Sequence, residues 1–238
     1  MTAAALARQS LAPETLPATQ TRDEIIRRYR HAREISKRVN DGLLNALSWN
    51  MMLQHARRLG LARGRTFILD SMDAMAFVYD LAIYTAPAGR SRAIDRYSAQ
   101  VQPESEEART LEAMRNARFA ICCVERRHET AGLLLRDMLR QDEFWLVDEG
   151  LERTMEEGAT LATRVFTPDA FSITCGVMMP VTLAIMTEVF DEVVPRLKHH
   201  TIDQICNDRR FAEAVYRTAM ADGAMEEIAF QPVPEPED

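Results

Sequence analysis

No GxGxxG turn, P-loop or GxSxG elbow occurs anywhere in the 238 residues. The backbone devices that cradle a dinucleotide, hold a triphosphate or present a nucleophilic serine are therefore missing, and no cofactor is expected. HExxH and paired CxxC spacings are absent too, which removes the common zinc signatures. No stretch approaches the roughly 20 apolar residues that span a bilayer, so no membrane partner is expected. An h-region for secretion is also lacking, which makes the cytoplasm the default compartment. Cysteine is sparse: Cys122, Cys123, Cys175 and Cys206 lack the density and regular spacing of a disulfide framework. They read as reduced, buried small hydrophobes, and adjacent Cys122 and Cys123 would point to opposite faces of a strand. No internal repeat marks a solenoid.

What remains has the balance of a globular chain, with 47% hydrophobic and 27% charged residues, enough for one large or two small cores. Residues 1–20, Ala-rich with Pro13 and Pro17, read as a disordered tail. Thr21-Arg22-Asp23-Glu24 is a capping box that starts a helix, with Ile25, Tyr29, Ala32, Ile35 or Ser36, and Val39 on one stripe. Asp41 is expected to open a second helical stretch, which Ser48 breaks or recaps and Gly60 stops. Thr66 to Leu69 is an apolar link with the makings of a brief strand. Asp70 or Ser71 caps a central helix ending near Tyr84, Ser91 to Val101 holds a short helix, and Pro103 begins another before three glutamates.

After Ala117 the pattern turns to strand. Arg118–His128, Gly132–Leu139, Phe144–Val147, Thr160–Phe166 and Phe171–Met178 are five short β-prone runs with short connections. Thr182 then caps a helix that Pro195 should kink or end by beginning a separate turn, and Thr201 and Asp208 cap two more. The fold class read from this order is α+β: a helical region (21–117), a small five-stranded antiparallel meander or barrel (118–181), C-terminal helices (182–230) and an acidic, proline-rich disordered tail (231–238).

Candidate chemistry is thin. Asp70, Asp73 and Asp80 fall on one stripe of the central helix, where carboxylates could hold a divalent ion or work as an acid and base. Capping by Asp70, and pairing of the others with arginines such as Arg90, Arg92 or Arg96, is the preferred account of them. His199, Asp203 and Cys206 have helix-like offsets but converge only if the helix runs unbroken through Thr201. His128-Glu129 sits at a hairpin turn downstream of Cys122 and Cys123. None of these supplies an assigned catalytic, cofactor or metal residue.

Charge is more informative. Thr21 to Arg65 holds eleven basic residues (Arg22, Arg27, Arg28, Arg30, Arg33, Lys37, Arg38, Arg57, Arg58, Arg63 and Arg65) against four acids, a local +7 in a chain of −7. Such a face could follow a phosphate backbone, dock on the chain's own acidic half, or stay solvated. No helix-turn-helix spacing accompanies it. The sequence reading is therefore a non-catalytic interaction or regulatory protein with a protein partner or self-association through the first amphipathic helix. An enzyme with a site assembled from distant residues, with or without a metal, and a weak nucleic-acid binder are the alternatives.

Overall fold

A computed structural model describes residues 20–69, 73–87, 89–197 and 199–223. The expected terminal tails, apart from Gln20, and the Asp70 or Ser71 cap lie outside the described residues.

Helix α1, Arg22–Ala46, begins where the capping box places it: Thr21 N–H donates to Glu24 Oε2 at 2.9 Å and Thr21 Oγ1 accepts from Glu24 N–H. Its buried stripe is Ile25, Tyr29, Ile35, Val39 and Leu43. The expected break at Asp41 is corrected, because Val39 and Leu43 keep the four-residue spacing across it and α1 runs on to Ala46. Ser48 caps α2, Trp49–Arg58, by accepting from Met51 N–H. Two-residue strands β1, Ala62–Arg63, and β2, Thr66–Phe67, form a tight hairpin through Gly64, whose φ of +61° needs a glycine.

Helix α3, Asp73–Tyr84, is buried on most sides, as its run of apolar residues predicts. Short α4, Ala93–Ser98, precedes α5, Glu106–Arg115. Pro103 does not start α5. Glu104 takes a left-handed φ of 65°, and Ser105 caps instead, accepting from Ala108 N–H at 3.0 Å.

The five expected strands form: β3 Arg118–Arg127, β4 Leu133–Asp137, β5 Glu143–Leu146, β6 Thr160–Phe166 and β7 Ile173–Pro180. All neighbours are antiparallel, but the order is β5-β4-β3-β6-β7, which is not a meander. After edge strand β5 the chain crosses through α6, Glu149–Thr154, a helix the sequence reading missed, to reach the free edge of β3. Asp148 caps α6, accepting from Gly150 and Leu151 N–H at 3.0 Å each.

Nor is the sheet closed into a barrel. Val147 N–H to Ser172 O at 2.9 Å, and Ser172 N–H to Trp145 O at 2.8 Å, draw the two edges together at one rim. Closure would need β5 to pair along β7, and only the single bridge Leu146–Ser172 forms.

α7, Leu183–Leu197, accommodates Pro195 in its last turn, where one missing N–H costs a single helical bond and the helix does not stop. α8, Ile202–Asn207, and α9, Arg209–Ala221, start at Thr201 and Asp208 as expected. One face of the sheet (Phe119, Ile121, Ala162, Val177, Met179) packs with α3, α7 and α9. Ala120, Cys122, Leu135, Leu161 and Val165 pack with Leu151 of α6. The pinched rim meets α1, α4 and α5 through Val147, Phe166, Phe171 and Ile173. Among the described residues no helix is long and apolar enough to cross a membrane.

Candidate functional site

The most polar part of the core joins α3, β6 and α9. Arg164 is buried inside β6, and both arms of its guanidinium fork donate to Asp80, Nε to Oδ1 at 2.8 Å and Nη2 to Oδ2 at 2.9 Å. Tyr216 Oη donates to the same carboxylate at 3.0 Å. The guanidinium lies 4.8 Å from the Tyr84 ring centre and 5.4 Å from that of Phe119, so aromatic faces cover what the carboxylate does not. Burial opposes the charge on Arg164, but attraction to Asp80 and its hydrogen bonds keep the pKa above the ordinary value.

Arg164 and Tyr84 also line an open cleft of about 880 Å³, and four more arginines reach it. Each arrives at an element boundary: Arg92 just before α4, Arg115 at the end of α5, Arg118 at the start of β3 and Arg140 in the β4–β5 turn. Helix α8 contributes Ile202, Asp203 and Asn207 to the lining.

All four outer guanidiniums are held by carboxylates. Arg92 donates through Nε and Nη2 to Asp95, at 2.8 Å each. Arg115 Nε reaches the same Asp95 at 3.2 Å, and its Nη1 reaches Glu112 at 2.6 Å. Arg118 Nη1 donates to Asp142 at 2.6 Å, with its guanidinium 4.7 Å from the Phe144 ring centre. Arg140 donates to Asp203 through Nε and to Asp137 through Nη1, both at 2.7 Å. The Arg92 fork holds the Asp95 carboxyl at about 2. Such a lining presents pre-oriented N–H donors to an anion, because the partners have already fixed the rotamers.

The sequence candidates lie elsewhere or are otherwise engaged. Asp70 is outside the described residues, and of Asp73 only the backbone in α3 is described. Asp80 pairs with Arg164, a residue 84 positions away, instead of Arg90, Arg92 or Arg96. His128 stacks on Trp145 with ring centres 4.0 Å apart, and its Nδ1 accepts from Thr130 N–H. Thr201 breaks the chain between His199 and α8, so the offset-four relation of His199 to Asp203 is not a helical one. Cys206 is buried, its thiol pushed up to about 11 by that burial. Among the described residues no three His, Cys, Asp or Glu side chains gather as a metal site. All four cysteines are free.

Much of the basic face docks internally. Arg22 pairs with Glu152, Arg30 with Glu149, Arg38 with Glu107, Arg28 with Asp169 and Arg58 with Glu213. The apolar stripe of α1 is likewise covered by the chain's own residues.

Sequence reasoning missed the arginine cleft, because its members are scattered from 92 to 164. One signal was available: Arg164 interrupts Thr160-Leu161-Ala162-Thr163 and Val165-Phe166, where a charge must find a buried partner.

No curated protein and no solved structure matches the chain. Residues 23–225, from the first turn of α1 to just beyond α9, match the family described as Family of unknown function (DUF7986). The chain belongs to that family, and its fold and arginine cleft both lie within the matched segment.

Proposed function

We propose that this protein is a non-catalytic binding or regulatory protein that takes a small anionic ligand in the arginine-lined cleft. The observation that carries the reading is the convergence of five guanidiniums, from the N-cap of α4, α5, β3, β6 and the β4–β5 turn, on one open cavity. Guanidinium is the side chain best suited to planar, bidentate recognition of carboxylate and phosphate. Occupancy, not turnover, is the favoured mode of action, because the carboxylates at the cleft are committed to arginines. A ligand there would touch elements from the N-terminal helices, the sheet and α8 together, which suits a signal passed to a protein partner.

Calorimetric titration of the purified chain with phosphate, pyrophosphate, succinate and citrate tests this reading. Saturable binding of at least one anion is expected, lost in Arg115→Ala and Arg118→Ala, whose fold is checked by circular dichroism. Binding by none of the four would sink the proposal.

A further inference from the structure

The carboxylates around the cleft fall into two groups by exposure. Asp137 is fully buried and Asp95 only 26% exposed, so both act as fixed anchors. Asp203, Asp142 and Glu112 are 73%, 49% and 58% exposed, each holding one cleft arginine from the solvent side. Exposed ion pairs in water contribute little, since screening and side-chain entropy consume most of the attraction. An arriving anion can therefore replace them at small cost, whereas the buried anchors stay.

The donor count points the same way. Arg92 is bonded through Nε and Nη2, Arg115 through Nε and Nη1, and Arg140 through Nε and Nη1. Among the described residues this leaves a terminal amine of each without a protein acceptor. The four outer arginines form two pairs. Arg92 and Arg115 share Asp95, while Arg118 and Arg140 are both tied to the 137–142 turn, through Asp142 and Asp137.

We infer that Asp142, Glu112 and Asp203 are stand-ins for a ligand with two phosphate groups, one for each arginine pair. The inference rests on the cleft being an anion site. A carboxylate ligand would exchange like for like against the residues it displaces. A phosphate group carries nearly twice the charge and three terminal oxygens, so it gains where a carboxylate breaks even. Entry of the second group frees Arg140 Nε from Asp203 and so releases the tie between the β4–β5 turn and α8.

Titration with pyrophosphate, orthophosphate and succinate, on the full chain and on Asp203→Asn, Asp142→Asn and the double variant, tests this. Asparagine keeps the shape and removes the competing charge. Pyrophosphate is expected to bind at least about tenfold more tightly than orthophosphate or succinate, and each asparagine variant to bind it several-fold more tightly still. Tighter binding is a change that damage to the fold would not produce. Unchanged or weaker pyrophosphate binding in the variants, with binding by the natural chain intact, overturns the stand-in role and leaves the anion site standing. Equal affinity for pyrophosphate and orthophosphate overturns the two-group ligand. No binding of any probe to any form overturns both.

Discussion

Asp80 and Arg164 lie 84 residues apart in sequence and meet through two hydrogen bonds of 2.8 and 2.9 Å in the interior. Removing one partner strands the other charge. Arg164→Met is expected to cost about 3–5 kcal/mol in urea unfolding, and Asp80→Leu a similar amount. The double variant should cost clearly less than the sum, because it leaves no unpaired charge. Additive losses would show that the two residues do not depend on each other.

His55 gives a pH prediction. It is 5% exposed, its Nδ1 is 3.8 Å from Glu213 Oε1 without a hydrogen bond, and burial followed by Arg58 and Arg209 pushes its pKa down to about 4, with Asp80 opposing. The unfolded chain, with a histidine near 6.5, binds the proton first as pH falls. The stability tied to neutral His55 is thus complete above about pH 6.5 and lost as pH drops towards 4, a loss of about 1–3 kcal/mol. Urea midpoints from pH 7.5 to 4.5 should fall less steeply in His55→Gln, and parallel curves would refute the assignment.

Gly132 and Gly158 separate two costs of adding a methyl group. Both have positive φ, +79° and +84°, but a Cβ on Gly132 would sit 2.2 Å from Leu146 O while one on Gly158 meets nothing within 4 Å. Gly158→Ala should lose about 1 kcal/mol from backbone strain alone, and Gly132→Ala at least twice that, because backbone must move. Thermal melts that rank them in the opposite order would refute the clash.

Nucleic-acid binding through α1 is expected to be negligible. The chain carries −7 overall, and acids beside the basic face (Glu152, Asp169, Glu149 and Glu107, facing Arg22, Arg28, Arg30 and Arg38) add repulsion for an extended phosphate backbone. Fluorescent DNA and RNA should show no saturable binding at low salt, where attraction is screened least. A linear fall of log affinity with log salt, reduced in Arg27→Ala, Arg30→Ala and Arg38→Ala, would reverse this reading.

Strand positions were legible because β-branched and aromatic runs are bounded by turn residues, and Thr160–Phe166 is found at the expected limits. Strand order was not. Local pattern says nothing about which edge of β3 receives β6, and α6 escaped notice because six residues are too few for a helical period. Caps at Thr21, Ser48, Thr201 and Asp208 were readable since one side chain serves its own next turn. The cleft was hidden for the opposite reason: Arg92, Arg115, Arg118, Arg140 and Arg164 acquire meaning only from tertiary packing.

The order β5-β4-β3-β6-β7 also has a consequence for synthesis. Chains emerge from the ribosome amino end first, at about 5–20 residues per second. Strands β3, β4 and β5 can pair once Leu146 is out, but the other side of β3 waits for Thr160–Phe166. Until that segment arrives, the nascent chain carries an open strand edge and an Asp80 without its arginine. The emergence of β6 supplies both at once, so translation through residues 147–166 is the interval in which a chaperone would be most needed.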